Sequence, residues 1–275
     1  MNKLSLFLCF ALFAISTTAQ VKMPQPSPTQ TIKQNFGIGE IELTYSRPGA
    51  KGRKIFGDLV PFDKIWRTGA NAATKFSLTE PIEMGGKKLD TGSYVLYTIP
   101  GKQNWEIIIN KGLSNWGIDG YKESEDVARF TVEPKKIKPA VETFTMEFAN
   151  VKAESCELLI TWEKTAVTIP ITTNFKEKVK AQLEAAMLTD KKPYWQAAQF
   201  YNEYEKDLPK AIGYADKALE TYPKAFWIYI YKARMQKENG DIAGAKISSD
   251  KSLELAKEAK NDDYIKMNEE FQKKL

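Results

Sequence analysis

Residues 82–101, Ile82-Glu83-Met84-Gly85-Gly86-Lys87-Lys88-Leu89-Asp90-Thr91-Gly92-Ser93-Tyr94-Val95-Leu96-Tyr97-Thr98-Ile99-Pro100-Gly101, decide how the first half of the chain folds. Two short alternating runs flank Gly85-Gly86, a dipeptide suited to positive φ, so Ile82–Leu89 reads as a β-hairpin. The run Ser93–Ile99 is dense in β-branched and aromatic residues and stops at Pro100-Gly101, which reads as a strand.

The same period of two extends outward. Ile41, Leu43 and Tyr45 alternate with Glu40, Glu42 and Thr44, giving a half-buried strand. Trp105–Asn110, Phe130–Val132, Thr143–Phe148 and Glu157–Trp162 complete the set. Short strands with turn signals about every ten residues predict an antiparallel β-sandwich, with a closed barrel as the alternative. Lys135, Lys136 and Lys138 around Pro134 and Pro139 suit a basic linker or a protected edge strand.

After Thr172 the period changes. Val179, Leu183, Ala186 and Met187 share a helical face, and Trp195/Tyr229, Asp207/Asp241, Ala211/Ala245 and Leu219/Leu253 recur 34 residues apart. That spacing is the tetratricopeptide period, whose small residues let paired helices approach closely. The second unit departs from it at Ser252 and lacks the closing Pro. Asn261–Leu275 then reads as a capping helix. A plain helical bundle is the rival reading. The aromatic stripe Trp227, Tyr229, Ile230 and Tyr231 is expected to be core.

Residues 1–19 have the form of a secretory leader: Lys3, an apolar run from Leu4 to Ile15, and Thr17-Thr18-Ala19 as a small-residue cleavage site. Cys9 lies within the apolar run, which argues against lipidation. Cleavage after Ala19 leaves 256 of the 275 residues, and predicts a periplasmic or secreted protein with domains at 20–170 (sandwich) and 171–275 (helical). No later run is long and apolar enough for a membrane span. Cys156 would be the remaining cysteine, so stability must come from core burial, and Cys156 itself reads as a buried strand residue.

The formal net charge of +5 is interspersed, which does not suit a nucleic-acid partner. The chain contains no His. This removes Ser-His-Asp and Cys-His catalysis, His-ligated zinc and His-ligated haem. No phosphate-binding Gly-rich loop or calcium loop is present, so no cofactor and no metal are expected. Carboxylate-only hydrolysis of carbohydrate survives as an enzymatic alternative, with Asp58, Asp63, Asp119 and Glu125 in loop-like segments.

The segment Tyr45–Thr74 crowds Arg47, Lys51, Arg53, Lys54 and Arg67 among turn-forming Gly and Pro. Its tentative ligand set is Arg47, Arg53, Trp66, Arg67 and Asn71. Arginine offers a planar donor fork for carboxylate or phosphate, Trp66 an apolar face, and Asn71 a donor and an acceptor. A structural reading competes and weighs more: the arginines pair with Asp58, Asp63 or Glu42 and Trp66 is core, since a buried Arg is normally paired. Asn115-Trp116-Gly117 is a weaker aromatic site, and a loop Trp more often packs back onto a sandwich edge.

Tyr45-Ser46-Arg47-Pro48, Lys51-Gly52-Arg53, Ile55-Phe56-Gly57, Val60-Pro61 and above all Trp66-Arg67-Thr68-Gly69-Ala70-Asn71 resemble the bacterial domain-of-unknown-function family 2911 across roughly residues 27–165. Gly92-Ser93-Tyr94, Ile99-Pro100 and Trp116-Gly117 fit as well. The helical tail resembles tetratricopeptide pairs attached to such domains. The resemblance implies an exported bacterial envelope protein and supplies no catalytic residues. The function expected is therefore a non-enzymatic binding or interaction protein. Its β domain would take an anionic or carbohydrate ligand, or an envelope protein, and its helical repeats would contact proteins.

Overall fold

The computed structural model describes residues 23–275, so the expected leader lies outside the described residues. The chain divides into two compact units at Thr173/Asn174.

The first unit is all β: β1 (Thr29–Phe36), β2 (Gly39–Ser46), β3 (Thr74–Leu78), β4 (Ile82–Met84), β5 (Lys87–Leu89), β6 (Gly92–Ile99), β7 (Trp105–Asn110), β8 (Asp126–Val132), β9 (Pro134–Ala149) and β10 (Ser155–Thr172). Six strands form one sheet in the order β1-β2-β3-β6-β7-β8, and four form the other in the order β5-β4-β10-β9. Neighbouring strands pair antiparallel throughout. Alternate residues of β2 (Ile41, Leu43, Tyr45) and β10 (Cys156, Leu158, Ile160, Trp162) are buried in one common core, which makes the unit a sandwich.

The hairpin forms at the expected residues. Gly85 and Gly86 have φ of 57° and 75°, and a Cβ on Gly85 would sit 2.2 Å from the Phe130 ring. The near-continuous apolar run of β6 has a clear origin. Tyr94 and Leu96 face the main core, whereas Val95 and Tyr97 join a second cluster with Ala73 and Ile108, covered by Ile65 and Tyr121. A strand buried on both faces loses its polar alternation.

Two strands, β1 and β3, lie outside the set read from the sequence. In β1 the outward positions are polar and, Phe36 apart, its inward positions Gln30, Ile32 and Gln34 are only half buried, because it is an edge strand. β3 has only five residues. β9 and β10 are also longer than expected, and Lys135, Lys136 and Lys138 fall in β9, which is the edge of its sheet.

The second unit comprises α1 (Lys176–Ala186), α2 (Tyr194–Phe200) continuing into a π-helical turn at Tyr201–Glu205, α3 (Leu208–Thr221), α4 (Phe226–Glu238), α5 (Ile242–Glu258) and α6 (Asp262–Gln272). Asp207 and Asp241 cap α3 and α5, accepting from the backbone N–H of Lys210 at 3.1 Å and of Gly244 at 2.8 Å. Ala211, Ala215 and Ala218 of α3 and Ala245, Ser249 and Ser252 of α5 are all buried. Serine at the last two α5 positions serves α6. Ser252 Oγ donates to the Phe226 carbonyl (2.8 Å) and accepts from Asn268 Nδ2 (2.9 Å), while Ser249 Oγ donates to Asn268 Oδ1 (3.0 Å). Of the aromatic stripe on α4, Ile230 is buried and Tyr229 and Tyr231 are half-buried, but Trp227 is 42% exposed and is not core.

Candidate functional site

The connection from β2 to β3, residues 47–73, is long, and it is held by side chains and scattered backbone hydrogen bonds rather than by continuous strands or helices. Trp66 is its main anchor. Its backbone pairs with Thr98 at the end of β6 (2.7 and 3.0 Å), and its indole Nε1–H donates to the Gly69 carbonyl at 3.1 Å. The ring lies in an aromatic cluster, stacked on Trp162 (6.0 Å) and edge-on to Phe56 (5.9 Å), Phe144 (5.3 Å) and Trp105 (6.2 Å).

Immediately after it the backbone turns through Thr68, which has φ of 54° and is fully buried. A β-branched residue in the left-handed region is a steric outlier, stabilised here by its neighbours. Thr68 Oγ1 bonds to Thr98 Oγ1 at 3.1 Å, and its carbonyl accepts from Thr74 Oγ1 at 2.6 Å. Arg67 is thus fixed between a locked tryptophan and a locked, strained threonine.

The arginines of this segment have three different fates, none of them the expected carboxylate pairing. Arg47 donates to the Phe144 carbonyl (3.2 Å) and to Thr145 Oγ1 (2.8 Å), tying β2 to β9. Arg53 folds back on its own turn, onto the carbonyls of Ala50 (3.0 Å) and Gly49 (2.7 Å). Arg67 makes neither contact: among the described residues its guanidinium has no hydrogen bond or ion pair, although Nε is buried. A buried donor left unpaired costs about 1–3 kcal/mol, so such groups are few in folded proteins.

Arg67 borders a pocket of about 350 Å³. Trp66 and Trp162 contribute to its wall with Val60, Pro61 and Pro48, and Leu59 and Ile118 are each 44% exposed. Arg53, Lys64 and Arg67 are its charged residues. Among the described residues no Asp, Glu, Asn or Gln lines it. Gly117 sits against Arg67: its φ is 63°, and an added Cβ would be 3.1 Å from Nη1. The loop carrying Gly117 leaves Trp116 66% exposed rather than packed back onto the sheet.

The structure therefore gathers Arg53, Trp66 and Arg67 into one pocket and places the other two site residues elsewhere. Arg47 lines a separate shallow recess with Thr145 and Phe148. Asn71, at φ 57°, donates to the Ser27 carbonyl (3.2 Å) and to Ser46 Oγ (3.3 Å), and borders a third recess with Trp116. Lys64, Leu59, Ile118 and Trp162 are pocket residues that sequence reasoning missed. Asp58, Asp63 and Asp119 are exposed, and Glu125 pairs with Lys122 at 3.4 Å.

A second network escaped the sequence reading. On β8, Arg129 donates to Asp126 (2.7 Å), Glu106 (3.1 Å) and the Tyr121 hydroxyl (2.6 Å), while Asn110 Nδ2 donates to Asp126 (2.7 Å). It is fully paired internally, so it reads as structural. The chain matches the family described as protein of unknown function (DUF2911) over residues 27–171, more than half its length and the whole pocket.

The chain belongs to this family. The match ends at Ile171, within β10, so it covers the sandwich of this DUF2911 member and none of its helices. No curated protein and no solved structure matches the chain. Among the described residues no helix is long and apolar enough to cross a membrane.

Proposed function

We propose that this protein is an exported binding protein of the cell envelope whose sandwich holds an anionic ligand in the Arg67 pocket. The observation that carries the reading is that, among the described residues, the guanidinium of Arg67, with its buried Nε, is unpaired and the charged residues of its pocket are all cationic. A structural arginine ends on carbonyls or carboxylates, as Arg47 and Arg53 do. One that meets no acceptor among the described residues is poised for an acceptor that arrives with a ligand.

The helical unit is, in this reading, a tetratricopeptide-like pair of hairpins that contacts another envelope protein. Support comes from the equivalent caps Asp207 and Asp241 and from the matched small residues of α3 and α5. The leader-like composition of residues 1–19 supports a periplasmic or secreted location in this reading.

The test of the ligand site is a titration of tryptophan fluorescence in the mature chain with carboxylates, phosphates and their uncharged amide or alcohol counterparts. Saturable responses confined to anions and lost in Arg67→Met are expected. Equal responses to uncharged counterparts, or full retention by the variant, would overturn the proposal.

A further inference from the structure

The pocket's own chemistry narrows the class of anion. We propose that its ligand is a carboxylate carried on a small apolar body, an inference that rests on the anion-binding reading above. Two features of the wall point this way.

The first is the shortage of neutral polar groups. A sugar acid presents several hydroxyls, each of which loses water on entering and needs a partner, commonly Asp, Glu, Asn or Gln. Among the described residues this lining offers Ser27 as its uncommitted neutral hydrogen-bonding side chain, because the indole N–H groups of Trp66 and Trp162 already donate to the Gly69 and Glu142 carbonyls, and Leu59, Ile118, Val60 and Pro61 add only apolar side chains. Leu59 and Ile118, each 44% exposed, are apolar surface that a ligand body would cover.

The second is the supply of donors. Arg53 already spends Nε and one Nη on the Ala50 and Gly49 carbonyls, which leaves Arg67 as the arginine with an uncommitted fork. One planar fork matches the two oxygens of a carboxylate. A phosphate dianion sheds more hydration on entry and is typically met by several donors at once. The volume of about 350 Å³ lies near the lower end for ligand sites, which suits a compact acid.

Two sources share this chemistry: a free hydrophobic acid, and the C-terminal residue of a peptide ending in an apolar side chain. The test follows the Arg67 Nε–Hε and tryptophan indole NMR signals of the mature protein, with Arg67→Lys used to assign the arginine signal. The probes are 3-phenylpropionate, a tripeptide ending in Phe, glucuronate, inorganic phosphate and 3-phenylpropanamide.

The expected result is a saturable shift of Arg67 Nε–Hε by one or both phenyl acids, at least tenfold tighter than by glucuronate or phosphate. The tighter of the two acids identifies the source. Equal or tighter binding of glucuronate or phosphate would overturn the apolar body while leaving the anion pocket standing. Equal binding of the amide would overturn the anion reading, and the carboxylate with it. No saturable shift from any probe would overturn both.

Discussion

Trp66 and Trp162 stack with ring centroids 6.0 Å apart and planes 16° from parallel, one from the β2–β3 connection and the other from β10. The pair belongs to the sandwich core and also lines the candidate pocket. The pocket is therefore built on residues fixed in the packed core, which is where a binding site gains its preorganisation.

Replacing Trp66 should damage fold and site together. Trp66→Ala removes a buried aromatic and its hydrogen bond to Gly69. Large-to-small changes of this kind cost about 3–5 kcal/mol. Chemical denaturation should show that loss. A change under about 1 kcal/mol would mean that the connection is not anchored by Trp66.

Arg67 should behave in the opposite way. Its buried Nε is unpaired, so Arg67→Met removes a desolvated donor without breaking a bond. Stability equal to or above that of the wild type is expected, measured by the same denaturation. Arg47→Met, which breaks the bonds to Phe144 and Thr145, should be destabilised by about 1–3 kcal/mol. If Arg67→Met falls as far as Arg47→Met, Arg67 has a structural partner and the binding reading fails.

The two helix caps give a matched pair. Asp207→Ala and Asp241→Ala each delete a side-chain cap, a loss of about 1 kcal/mol. Asp241 also accepts from Gln236 Nε2 at 3.0 Å, so its replacement should be the more damaging. Thermal unfolding of the two variants checks the order.

Alkaline pH should destabilise the protein in a defined window. Burial pushes the Cys156 thiol from 9.0 up to about 11. It likewise raises the phenol of Tyr121 from 10.0 to about 12, aided by Asp126, and that of Tyr231 to about 12, aided by Glu203. Each group ionises first in the unfolded chain, so the unfolded state binds fewer protons and stability falls as pH rises from about 9 to about 12. Denaturation midpoints across that range test the sign. At pH 8 the Cys156 thiol should resist alkylation until the protein is unfolded.

Much of the fold could be read along the chain because its signals are local. Gly85-Gly86 needs positive φ wherever it lies, and the alternation of β2 and β10 follows from one buried face. β1 was missed because an edge strand buries too little for its pattern to register, and β3 because five residues carry too little pattern. Trp227 and Trp116 were misjudged because an aromatic residue carries no local sign of whether a neighbour covers it.

By itself, the sequence determined the two-part architecture, the family, the 34-residue recurrence and the clustering of cations between Tyr45 and Thr74. Which of those cations is free was decided only by tertiary structure. Arg47 meets acceptors almost one hundred positions away, Arg53 meets its own turn, and Arg67 meets none among the described residues. Three arginines with equal donor chemistry differ only in what the folded chain brings to them. Hydrogen-bond partnership depends on separations of a few ångströms between distant segments, and no local pattern encodes those.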